Sequence, residues 1–108
     1  MSNSSEFIEV TTTTASEAEA HIIARSLVDQ RLAACVQVTG PIRSFYRWQG
    51  EVCEANEVRL TVKSLSILQD RLIAAIQTAH SYDTPEIIVT ALFACSPQYG
   101  AWLREQVE

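Results

Sequence analysis

Residues 57–64 read "EVRLTVKS", and the fold turns on this stretch. Val58, Leu60 and Val62 alternate with Glu57, Arg59, Thr61 and Lys63, the period-two pattern of a strand with one face buried and one in water. One-sided burial belongs to antiparallel sheets, because strands of a parallel sheet are covered on both faces and read apolar throughout. Just upstream, Gln49-Gly50 reads as a hairpin turn. Before that turn, Leu32 to Trp48, "LAACVQVTGPIRSFYRW", reads as one long strand bent or bulged at Gly40-Pro41, since proline has no N–H to give to a central ladder.

Working outward, "FIEVTTT" at 7–13 is rich in β-branched residues and reads as a first strand. "SEAEAHIIARSLVDQ" follows from Ser16, with Glu19 three residues later in the pattern of a capping box. Ala20, Ile23, Ala24 and Leu27 share the apolar face of that helix, and His21 falls on the polar face. Ile22 lies near the polar side, a sign that something covers it. A second helix is expected over 66–79, with Leu68, Leu72, Ala75, Ile76 and Ala79 on one stripe. "PEIIVTALFA" reads as a strand with Pro85 at its start, and "SPQYGAWLREQVE" as a last helix capped by Ser96 with Pro97 in its first turn. The order β-α-β-β-α-β plus a C-terminal helix predicts an α+β fold, a ferredoxin-like βαββαβ sandwich with both crossover helices on one face.

The bulk numbers fit one domain over residues 1–108 with a core of moderate size, 47% of its residues being hydrophobic. The stretch "MSNSSEF" has no basic and apolar signal-like pattern, and no apolar run approaches the ~20 residues of a membrane span. A cytoplasmic protein without membrane contact is expected. The net charge of −5 argues against a nucleic-acid partner, which would demand a basic face. Cys35, Cys53 and Cys95 are far apart and form no C-x-x-C, so they read as small buried hydrophobes.

Many functions share this fold, so function must come from side chains. The first loop, "TTTTASEAEA", lacks the paired cysteines of a copper-chaperone domain, and "EVRLTVKS" lacks the aromatics of an RNA-binding strand. There is no glycine-rich phosphate cradle and no G-x-S-x-G elbow, and nothing in the residues argues for an enzyme. Chemistry gathers instead in "HSYDTPE" at 80–86, where His80, Tyr82, Asp83 and Glu86 crowd a helix exit. Tyr46, Trp48, Tyr82 and Trp102 stand near element ends, where half-wet rings mark an interface, a ligand cleft or the cap of a core.

Five ordered runs then carry a resemblance: "ARSLVDQRLAACV" at 24–36, "SFYRWQGE" at 44–51, Glu57 through "LTVKS" to Ser64, "AHSYDTPE" at 79–86 and "YGAWL" at 99–103. Together they resemble the CutA, or divalent-cation tolerance, proteins over nearly the whole chain. The resemblance implies a tight homotrimer whose long strands pair between subunits, similar in build to the PII-type signalling trimers. It also implies a cleft between subunits, lined here by Tyr46, Trp48, Lys63, His80, Tyr82, Glu86 and Trp102. In that cleft His80 can offer an imidazole nitrogen and Glu86 a hard oxygen to Cu(II) or another divalent cation, with no obligatory cofactor. Lys63 suits a small anionic ligand instead, which keeps open a PII-like sensing function. The chain departs from the family's pattern at Ser81, at Ser64 and at Thr12, the last aligning with a first-strand cysteine that some members use for copper. The remaining reading is structural, with His80 and Glu86 holding the helix exit and the trimer together.

Overall fold

Val58, Leu60 and Val62 are all buried in the strand β3 (Glu51–Leu65), the hub of a four-stranded sheet. In this computed structural model, which describes residues 5–107, β2 (Cys35–Trp48) runs antiparallel along one side of β3. On the other side lies β1 (Phe7–Thr14), and β4 (Ile87–Leu92) pairs antiparallel with β1, giving the order β2-β3-β1-β4. Residues 1–4 and 108 lie outside the described residues, and with them most of the stretch on which the expectation of no signal sequence rests. The helix α1 (Glu17–Asp29) joins β1 to β2, α2 (Gln69–Ala79) joins β3 to β4, and α3 (Pro97–Gln106) closes the chain. The fold is therefore α+β, with an antiparallel sheet and three helices in the element order read from the sequence.

Strand register decides which face is dry. Ile8 lies opposite Ser64, Val10 opposite Val62, Thr12 opposite Leu60 and Thr14 opposite Val58, and all eight residues are buried. Ala20, Ile23 and Leu27 of α1 and Leu72 and Ile76 of α2 complete this core, and Leu103 and Val107 join it from the C-terminal end. Each fully buried Leu, Ile or Val contributes about 1.5–3 kcal/mol relative to exposure. The opposite face carries Glu9, Thr11, Arg59, Thr61 and Lys63 and is polar.

Several local expectations are corrected. The strand β2 begins at Cys35 rather than Leu32, because Leu32 and Ala33 turn their amides back onto the Leu27 carbonyl and wrap the end of α1. The helix expected from 66 starts as a 3₁₀ turn, Ser66–Leu68, with no side-chain cap, and the Ser66 amide donates to the Glu6 carbonyl at 2.8 Å. Ser16 does cap α1, accepting from the Glu19 amide at 3.1 Å. The return half of the capping box is replaced: the Glu19 carboxylate accepts instead from the Ser81 amide at 2.9 Å and the Ser81 hydroxyl at 3.0 Å. Ala79 is exposed at the helix exit, and Pro85 precedes β4 rather than opening it. Ile22 stands 69% exposed in the single chain. Nor are the cysteines buried: Cys35 and Cys53 are half-buried and Cys95 is exposed, Cys53 because its part of β3 has no core behind it.

That part of β3 is the feature that builds the site. The strand β1 reaches only as far as Val58, so Glu51–Glu57 pairs with Ile42–Trp48 alone, as a two-stranded arm. Its tip is Gln49-Gly50, with φ of 50° and 81°, the two positive angles of a type I′ turn. Where the arm leaves the sheet, the pairing steps from Thr39↔Arg59 to Ile42↔Glu57, three residues of β2 against two of β3. The extra residue is a bulge at Gly40-Pro41, and it inverts the facing of everything beyond it. Without it, the even-numbered residues of β2 would continue on the helix-covered face with Val36 and Val38. With it, Ser44, Tyr46 and Trp48 share the open face with Glu57 and Arg59. Gly40 suits the close approach there: a Cβ would lie 3.2 Å from the Val58 Cα and 3.3 Å from the Glu57 carbonyl oxygen, both backbone atoms.

Candidate functional site

His80 leaves α2 in an extended conformation, and its ring is fully buried. Nε2 lies 2.7 Å from the Thr13 carbonyl oxygen, and Nδ1 lies 3.1 Å from the Tyr82 amide nitrogen. A carbonyl only accepts and an amide N–H only donates, so these partners fix the tautomer. Nε2 carries the proton, and the lone pair of Nδ1 takes the Tyr82 N–H. The Glu19 carboxylate stands 3.7 Å from Nδ1, held there by Ser81. His80 thus ties the end of β1 to the segment after α2, and in this geometry neither ring nitrogen has a lone pair left for a metal. For His80 to pair with Glu86 as metal ligands, as the resemblance implies, the imidazole would have to exchange one of these hydrogen bonds. Among the described residues, no group of three or more His, Cys, Asp and Glu side chains could hold a metal ion.

What His80 holds in place is one wall of a cavity of 580 Å³. The segment after α2 supplies Tyr82, Asp83, Thr84 and Glu86. The arm supplies Tyr46, Trp48 and Glu57, turned to this side by the bulge, together with Ser44 and Phe45. The Tyr82 hydroxyl donates to Glu57 Oε2 at 2.9 Å and so joins the two walls, while its ring lies 4.9 Å from that of His80. Burial, and then the Glu57 hydrogen bond, push the Tyr82 phenol up to about 12, with Glu57, Glu19 and Tyr46 adding electrostatic pressure in the same direction. Among the described residues, three carboxylates and no Lys, Arg or His line the cavity, so its potential is negative.

Of the seven cleft residues that the sequence singles out, the chain brings four together around the cavity: Tyr46, Trp48, Tyr82 and Glu86. His80 sits behind the wall. Lys63 lies elsewhere on the open face, donating to Gln37 Oε1 at 3.0 Å with Glu9 at 3.9 Å. Trp102 sits on α3, its ring 5.4 Å from that of Tyr99. Sequence reasoning missed Glu57 as a site residue, treating it as one member of a solvated strand face. The signal that could find it is the bulge: counting one extra residue at Gly40-Pro41 places Glu57 opposite Ile42 and on the side of Tyr46.

The fold and the cavity define a class of small α+β proteins in which a hairpin arm and a helix exit wall a ligand-sized space. Residues 8–106 match the model of one family, the CutA1 divalent ion tolerance proteins, and the chain belongs to that family. The divalent-cation tolerance protein CutA of Thermus thermophilus is 41% identical over 93 residues, covering 86% of this chain and 90% of that protein. A solved structure of the divalent cation tolerance protein from Thermus thermophilus superposes with a TM-score of 0.92 at 38% identity, covering 94% of this chain and 99% of that one. A CutA from Archaeoglobus fulgidus, described as periplasmic, superposes with a TM-score of 0.92 at 32% identity over 94% of this chain and 99% of its own. Family membership therefore fixes no compartment; no helix among the described residues is long and apolar enough to cross a membrane.

Proposed function

We propose that this chain serves divalent-cation tolerance as a non-enzymatic homotrimer, and that the cavity between arm and helix exit is its cation site. The observation that carries the reading is the composition of the walls: Glu57, Asp83 and Glu86 with no opposing base among the described residues. Carboxylates that do not converge on one point suit a hydrated divalent ion held weakly through its waters. Cu(II) is the first such ion to test, and the carboxylates rather than His80 are its contacts. An anionic ligand, the PII-like alternative, has less support, since Lys63 is engaged with Gln37 and Glu9 away from the cavity.

The trimer is supported by the arm. A lone two-stranded ribbon is marginally stable in water, and this one exposes Phe45, Trp48 and Val52 at 67%, 53% and 68%. Strands of 14 and 15 residues, against the ~5–6 usual in one domain, suit pairing with neighbouring subunits, which also covers open edges. Three thiols without a disulfide accord with a reducing, cytoplasmic setting.

The test is a calorimetric titration with Cu(II), with mass read by light scattering on the same samples. Wild-type protein should bind weakly and saturably at the mass of a trimer. Glu57→Gln combined with Glu86→Gln should weaken binding by about tenfold, as expected when two carboxylates facing a cation are neutralised. Unchanged binding in the double variant would overturn the assignment of the site.

A further inference from the structure

A hydrated metal ion has no use for aromatic walls, yet Tyr46, Trp48 and Tyr82 stand beside the carboxylates. We propose that the cavity also takes an organic ammonium ion, a small amine whose nitrogen carries methyl or methylene groups. The proposal rests on the cavity being a cation site, and it adds the class of cation that the rings select.

Ring faces are electron-rich and attract a cation within about 6 Å, most strongly when the cation sheds water readily. A substituted ammonium does so, because its charge is spread over C–H groups that also pack against apolar surface. A divalent metal keeps its waters and gains little from a ring. The carboxylates point the same way. A directly coordinated metal wants three or more donors converging on it, and among the described residues no such group exists, which leaves a metal only the weak hold through its waters. A diffuse cation needs only a negative potential around it, which Glu57, Asp83 and Glu86 provide. The rings stand at the cavity and outside the buried core. The bulge turns Tyr46 and Trp48 onto the open face, two residues apart and so roughly 7 Å apart along the strand. The hydroxyl of Tyr82 is tied to Glu57, which fixes that ring at the joint between the walls. The volume, 580 Å³, lies within the ~300–1,000 Å³ of small-molecule sites and far exceeds the needs of one hydrated ion.

The experiment is saturation-transfer NMR with choline on the full chain, compared with its neutral isostere in which a carbon replaces the nitrogen. Wild-type protein should bind choline about tenfold more tightly than the isostere, with transfer strongest at the N-methyl protons. Trp48→Leu should weaken choline about fivefold, and Trp48→Phe, which keeps a ring, should restore most of the loss. Light scattering and circular dichroism on each variant confirm that the assembly is intact. Equal binding of choline and the isostere would overturn the proposal, as would choline binding indifferent to Trp48→Leu. Cu(II) binding without choline binding would remove the ammonium proposal and leave the metal site standing. Loss of both ligands from wild-type protein would remove the cation site itself.

Discussion

In His80→Ala, the Thr13 carbonyl and the Tyr82 amide lose their partners together, and the imidazole leaves a hole between β1 and the exit of α2. A buried polar group without its partner costs about 1–3 kcal/mol. Both of these groups are only partly buried, so water relieves some of the loss, and the sum is taken at about 2–4 kcal/mol. With a urea m-value of about 2 kcal/mol/M, the middle of the usual range, the unfolding midpoint should fall by roughly 1–2 M. The measurement is a urea titration followed by fluorescence, at one fixed protein concentration because subunit association adds to apparent stability. Cu(II) affinity, measured well below the new midpoint, should stay within about twofold of wild type, since no lone pair of His80 faces the cavity. A variant as stable as wild type that binds Cu(II) much more weakly would refute the tautomer argument and return His80 to the ligands.

Two buried hydroxyls make a matched pair. Ser64 donates to the Leu32 carbonyl at 2.6 Å, whereas Thr12 Oγ1 has no hydrogen-bond partner among the described residues. Ser64→Ala should therefore destabilise by about 1–2 kcal/mol and Thr12→Val should stabilise by about 1 kcal/mol, both read from denaturant midpoints. Gly40→Ala should cost about 1–3 kcal/mol, because its methyl meets two backbone atoms of β3. It should also perturb the Trp48 indole resonance, whose facing depends on that bulge. For pH, the Tyr82 phenol at about 12 lies above its ordinary 10.0, so the folded chain keeps a proton that the unfolded chain releases. That contribution is whole below pH 10 and declines as pH rises through 12; phenolate absorbance should show the slowest-titrating tyrosine disappear in Tyr82→Phe.

The fold was legible because its signals are local. Alternation in 57–64, the Ser16 cap before an apolar stripe, Pro97 in a helix's first turn and the Gln49-Gly50 turn each depend on a few neighbouring residues, and each element stands where its signal lies. The site was legible only as a list of side chains. Its geometry depends on contacts that cross the chain: His80 to Thr13 over 67 positions, Tyr82 to Glu57 over 25, Ser81 to Glu19 over 62. The Ser16–Glu19 pattern shows the consequence, since the glutamate that completes a capping box on paper serves a distant serine instead. The bulge is the intermediate case. Gly40-Pro41 announces an irregularity, but whether one residue or two are left unpaired follows only from the register against β3, and one residue decides which face carries Tyr46 and Trp48.

The most direct test of the cavity as a cation site is paramagnetic broadening of the amide spectrum by trace Mn(II), which reports where a divalent ion dwells whatever its affinity. The signals expected to vanish first are the amides of Tyr82, Asp83, Glu86 and Glu57 and the indole of Trp48, while those around His21 and Asp29 on the exposed side of α1 persist. Broadening spread evenly over the acidic surface, or centred away from the arm and the helix exit, would contradict the assignment.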